Sequence, residues 1–239
     1  MLHEISFKSF NERDEVQGWV YVPACEPKGI IQLIHGFGEH SRRYFHMIVA
    51  FMDAGFIVAA DDHVGHGKTA IVNNTWGDWG HKGAHTMMED EHILTGIVKE
   101  MYPNLPYFMF GHSMGSFISL YKIGDMYLHG LYVTKNEKEA FYIFMRCIET
   151  MTDEAAYRVA GPVYLRLGRM FLDGSGTERN LKNALICFQK AESFLYDMVL
   201  DGEVMYRKRL NAAIKGQQET REKLSEQLPV NQWKFDGYK

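Results

Sequence analysis

At 239 residues, with 46% hydrophobic and 23% charged side chains, the chain has the composition of a soluble globular protein, long enough for one large domain or two small ones. A net charge of −4 gives nucleic acid and anionic membrane no electrostatic attraction. Three cysteines make no disulfide framework, no basic-then-apolar leader opens the chain, and no apolar run nears the roughly 18 residues that span a bilayer. A cytoplasmic protein with no transmembrane segment is expected.

Taken in order, Ile5–Phe10 and Gly18–Val22 are β-rich runs joined by the polar stretch 11–15, which reads as a hairpin. Ile30–His35 is an apolar strand ending at Gly36, and Arg43–Ala54 has helical spacing through Tyr44, Met47, Ile48, Phe51 and Met52. Phe56–Ala60 is a further strand. Residues 62–84, rich in Gly, His, Asp and Asn, read as loop. Met88–Met101 is helical, Tyr107–Phe110 is a strand, and a helix should begin near Ser113. Strands alternating with helices predict an α/β fold with a mostly parallel sheet covered by helices on both faces.

From about Leu120 the character changes to all-α. An internal repeat at an offset of 44 residues sets LYKIGDMYLHG (120–130) over YLRLGRMFLDG (164–174), with Gly124 over Gly168 and Gly130 over Gly174. Downstream, Ala140, Phe144 and Cys147 fall over Ala184, Phe188 and Ala191 as a helical stripe. A mid-helix glycine costs about 1 kcal/mol against alanine, so its recurrence predicts a close helix–helix crossing. Glu203–Leu228 reads as a capping helix. Three segments are therefore expected: 1–119, 120–200 and 201–239.

Gly111-His112-Ser113-Met114-Gly115 is a G-x-S-x-G sequence with a strand before it and a helix after it, the context of a nucleophile elbow. His35-Gly36-Phe37-Gly38 follows the Ile30 strand, where backbone N–H groups form half of an oxyanion hole. These runs, HGFGEHSRRY (35–44), DDHVGHGKT (61–69) and GHSMGS (111–116), resemble the monoacylglycerol lipase and lysophospholipase branch of the α/β-hydrolases. The branch usually carries arginine where Val64 stands. The repeat in turn resembles Sel-type repeats, relatives of the tetratricopeptide repeat.

The first resemblance implies serine ester hydrolysis of a small or lipid-like ester. Ser113 holds the nucleophile position, and the backbone N–H groups of Phe37 and Met114 are the oxyanion donors. It also implies an acid and then a histidine later in the chain. Neither has a counterpart. The single later histidine, His129, lies sixteen residues on, ~24 Å away if the helix continues. The triad acid and base therefore stay unassigned.

His35 and His112 read as structural hydrogen-bonding residues; His40, His63, His66, His81, His85 and His92 read as solvated loop histidines, and Asp61 and Asp62 as loop anchors. No cofactor or metal is expected: His81 and His85 are four apart, but no Glu follows His81 and Gly83 interrupts the spacing.

The second resemblance implies a protein partner on the repeats. With no strand beyond Tyr107–Phe110, that strand's edge is left open, to be covered by the repeats or by a second copy. Three readings stay open: a serine hydrolase with an incomplete triad, weak or inactive alone; a non-catalytic protein-binding scaffold; and a fusion of two gene fragments without evolved activity.

Overall fold

The computed structural model describes residues 1–151 and 157–227. The tail around Trp233 and Phe235 lies outside them. The hairpin forms as β1 (Leu2–Lys8) and β2 (Glu15–Tyr21), followed by β3 (Gly29–Ile34), α1 (Phe45–Asp53) and β4 (Phe56–Asp62). Then come α2 (Gly67–Asn73), α3 (His85–Met101), β5 (Tyr107–Gly111) and α4 (Met114–His129). The remainder is α5 (Glu137–Glu149), α6 (Tyr157–Asp173), α7 (Leu181–Leu200) and α8 (Arg207–Gln227).

The sheet is mixed, in the order β1-β2-β4-β3-β5. The ladders are antiparallel in β1–β2–β4 and parallel in β4–β3–β5. Parallel pairing thus falls where strands and helices alternate, and antiparallel pairing enters with the hairpin. Side-chain alternation feeds two cores. Val20, Ile30, Ile34, Ile57 and Ala59 pack toward Met88 and Leu94 of α3 and Ile118 of α4; Trp19, Leu33, Val58 and Ala60 pack toward Ile48 of α1.

Helix α2 lies inside the stretch read as loop. Its first-turn donor, the Lys68 N–H, is met by Asp62 Oδ2 at 2.7 Å, from the end of β4 and not from an adjacent cap residue. A cap supplied six residues upstream leaves no local signature.

The helical half repeats in detail. Asn136 and Asn180, 44 apart, cap α5 and α7 by accepting from the N–H groups of Glu139 and Asn183. Their own N–H groups bond the carbonyls of Tyr127 and Phe171, each at 2.9 Å. Gly130 and Gly174 take φ of 71° and 75°, the left-handed closure of α4 and α6. The close crossing is real: a Cβ on Gly124 would lie 2.5 Å from the ring of Phe144, and one on Gly168 would lie 2.8 Å from that of Phe188.

The core is continuous across the change in character. One cluster joins Ile30 and Ile57 of the sheet to Phe117 and Tyr121 of α4, and through them to Phe144, Val163 and Leu167. Among the described residues, β5 ends the sheet with no further strand on its outer edge, and Phe108 is 51% exposed.

Gly124→Ala should lower stability by about 1–2 kcal/mol in denaturant melts, because overpacking against Phe144 exceeds the helix-propensity gain. Adding Phe144→Leu should restore part of the loss. A Gly124→Ala protein more stable than wild type would mean that the crossing has slack.

Candidate functional site

Ser113 sits between β5 and α4 with φ 51° and ψ −120°, a conformation L side chains rarely adopt. The backbone around it is forced together. A Cβ on Gly115 would collide with the carbonyl oxygen of Ile34 at the end of β3, and one on Gly111 with that of Gly115. Glycine at both positions lets β3, β5 and α4 meet, which turns Ser113 outward, where it is exposed. Met114 is the first residue of α4, so its N–H has no intrahelical acceptor.

The second loop is held from below. Asp62 Oδ1 accepts from both the N–H and the hydroxyl of Ser41, at 2.8 and 2.7 Å. Asp62 is therefore a loop anchor, as expected, acting from the last residue of a strand. Phe37 is exposed beyond β3, with edge contacts to His66 and Trp79. The structure thus brings Phe37, Ser113 and Met114 to one end of the parallel strands.

Beside Ser113 lies a polar cluster. Glu39 accepts from the Gly36 N–H at 3.2 Å and from the Tyr44 hydroxyl, which lies 2.7 Å from His112 Nδ1. Burial raises the Glu39 carboxyl, but the bonds from Tyr44 and Gly36 outweigh it and leave the group below its ordinary value. His112 is half exposed and engaged through Nδ1 by Tyr44, a structural role consistent with its reading.

Among the described residues, no imidazole is hydrogen-bonded to Ser113 Oγ. His129 ends α4 and lies 3.9 Å from Asp125, at the far end of an unbroken helix. His35 is fully buried; its Nδ1 bonds the Gly36 carbonyl at 2.8 Å and its Nε2 accepts from the His63 N–H at 3.1 Å. Burial, reinforced by His63, pushes His35 well below its ordinary value, so it stays neutral.

Several histidines depart from the solvated-loop expectation. His63, His66 and His85 are buried, the last against Phe10, Tyr206 and Arg209, neighbours that periodicity does not reveal. Asp61 also departs from its reading: it faces the sheet side opposite Asp62 and meets His63 and Glu91 of α3. All three side chains are fully buried. Burial opposes a charge on His63, but Asp61 and Glu91 prevail and hold its proton up to about 9. Burial first, and Asp61 second, raise the Glu91 carboxyl well above the carboxylate range. Beside them the Lys122 amine bonds the Thr95 hydroxyl and the Glu91 carbonyl, and burial lowers it to about 7. Asp61 and His63 carry a sequence signal, two residues apart and hence on one face of an extended segment; Glu91, thirty residues on, carries none.

This fold and this elbow define the first half of the chain as an α/β-hydrolase. Residues 25–129 match the family model described as serine aminopeptidase, S33, and residues 118–144 and 154–193 match the Sel1 repeat. The match to the S33 hydrolase model thus runs directly into the matches to the Sel1 repeat. It is 38% identical over 101 residues to a monoacylglycerol lipase of Mycolicibacterium smegmatis, a match covering 40% of this chain and 32% of that one. It is 36% identical over 98 residues to the human monoglyceride lipase, covering 41% and 31%. The chain therefore spans about a third of the length of these curated relatives. Among solved structures, a thermostable carboxyl esterase from Bacillus coagulans in complex with glycerol matches at 50% identity and a TM-score of 0.52, covering 64% of this chain and 53% of that one. A lipase in open form matches at 34% identity with the same TM-score, covering 72% and 58%.

Ser113→Gly should be about 1 kcal/mol more stable than Ser113→Ala, because only glycine relieves the positive φ. Equal denaturation midpoints for the two variants would show that the elbow holds no strain.

Proposed function

We propose that the chain is a serine ester hydrolase-like protein of the monoacylglycerol lipase and lysophospholipase type whose triad is incomplete. Ser113 is the nucleophile position, and the Phe37 and Met114 N–H groups are the oxyanion donors. The isolated chain turns over carboxylic esters weakly or not at all. The observation that carries this reading is the strained, outward-facing Ser113 with no imidazole on its Oγ among the described residues. Without a base the hydroxyl keeps its proton, and what catalysis survives comes from the oxyanion donors and binding, roughly 10³–10⁴-fold over water in well-studied triads.

A second reading rests on the repeats. A cavity of about 400 Å³ is lined by Leu128, His129, Leu165, Arg169, Met170 and Ala212, on the face between α4, α6 and α8. Sel1 repeats in general suggest protein interaction, and this mixed apolar and charged face suits a peptide segment of a partner.

The open β5 edge suits a second copy of the chain, paired antiparallel through residues 107–110, since an isologous contact needs no surface besides its own.

A fluorophosphonate probe should label wild type no faster than Ser113→Ala, and p-nitrophenyl ester hydrolysis should differ less than tenfold between them. Rapid, stoichiometric labelling lost in Ser113→Ala would overturn the incomplete-triad reading, because phosphonylation requires an activated serine. Light scattering should give a dimer that Phe108→Lys converts to monomer. A wild-type monomer with fast amide exchange across 107–110 would exclude the paired edge.

A further inference from the structure

We propose that Asp61, His63 and Glu91 form a buried structural site for a divalent transition cation, zinc above all. The three side chains come from the end of β4 and from α3, and each is fully buried. His63 Nδ1 lies 3.5 Å from Asp61 Oδ1 and 3.4 Å from Glu91 Oε1. Neither Asp61 oxygen, nor Glu91 Oε1, nor His63 Nδ1 has a hydrogen-bond partner. Buried polar atoms without hydrogen bonds are costly, and three carboxylate oxygens and one imidazole nitrogen of this kind converge here.

The spacing suits a bound metal. Separations of 3.4 and 3.5 Å exceed the 2.7–3.2 Å of ordinary N–H···O bonds. They match the tetrahedral edge of about 3.4 Å expected for a cation bound at roughly 2.0–2.2 Å by nitrogen and oxygen donors.

The surroundings prepare the ligands. His63 Nε2 donates to the His35 carbonyl oxygen at 3.3 Å, which keeps a hydrogen on that nitrogen and directs Nδ1 toward the carboxylates. This is the arrangement typical of a metal-bound imidazole. Gln32 Nε2 donates to the other Glu91 oxygen, fixing the carboxylate's rotation. As the dication binds, protons held by His63 and Glu91 leave to solvent, and two carboxylates balance its charge. One imidazole and two carboxylates suit zinc; calcium takes six to eight oxygens, and magnesium demands an octahedron. Full burial makes the site structural, pinning β4 to α3, and implies loading during folding.

The test is to purify the full chain from zinc-supplemented cells and measure metal by mass spectrometry. Portions are then unfolded and refolded in EDTA or in micromolar zinc chloride. We expect about one zinc per chain and a Tm several degrees higher after refolding in zinc than in EDTA. Asp61→Asn and Glu91→Gln, which keep shape, should each cut retained zinc at least tenfold and abolish the Tm difference. If either variant fails to fold, the wild-type comparison of zinc against EDTA still decides. A wild-type chain without stoichiometric zinc and with the same Tm in both refolding buffers overturns the proposal and leaves an imidazolium between two carboxylates.

Discussion

The arrangement depends on a backbone approach that admits no side chain. At Gly115 the first turn of α4 rests on the carbonyl oxygen of Ile34, and at Gly111 the end of β5 meets the Gly115 carbonyl. That contact fixes three things together: the positive φ of Ser113, the axis of α4, and the position of the loop after β3. The axis matters furthest from the site. Helix α4 is both the helix after the elbow and the first helix of the repeats, so the contact at Gly115 also aims α5–α7. Phe144 closing on Gly124 of the same helix then seats the second half. Any side chain at position 115 would therefore disturb the site and the repeats alike.

Much of this was legible because its causes are local. The elbow, the loop at 35–38 and the glycine recurrence at 44 residues are short patterns whose chemistry lies within a few positions. The asparagine caps of α5 and α7 obey the same offset, since each repeat rebuilds the same hydrogen bonds. What escaped depends on partners distant in sequence. Helix α2 is capped by Asp62 from the strand before it, and the histidines at 63, 66 and 85 are buried by chain that returns over them. A histidine-rich loop and a histidine-rich core have the same composition, and only the tertiary fold separates them.

The polar interior under the sheet carries a desolvation cost. Gln32, Thr95 and Lys122 bond one another and the Glu91 backbone, while the Asp61 oxygens, Glu91 Oε1 and His63 Nδ1 face each other without a hydrogen bond. Replacing such a cluster by apolar groups commonly costs nothing or stabilises a fold, so its retention calls for an occupant or a specific pairing. Lys122 lies on α4 and Glu91 on α3, so the cluster ties the crossover to the shared helix. Here too the two halves of the chain meet.

Among the described residues, the outer edge of β5 has no further strand and Ser113 Oγ has no imidazole bonded to it, and both follow from what comes after the elbow. In the fold that the first half adopts, the strands following the elbow both pair with that edge and bring in the acid and the histidine. In this chain α4 leads into repeats instead. A second copy pairing antiparallel at β5 would remedy the first deficiency and not the second. Centred on Met109, it sets the partner subunit's Gly111 against Tyr107, so the two strand ends at Gly111 stand about 14 Å apart at 3.4 Å per residue, with each Ser113 beyond its own strand end. A proton acceptor must come within about 3 Å of Ser113 Oγ, and this symmetry brings no imidazole from the partner's elbow that close. Pairing at this edge would therefore cover β5 and leave the surroundings of Ser113 as they stand.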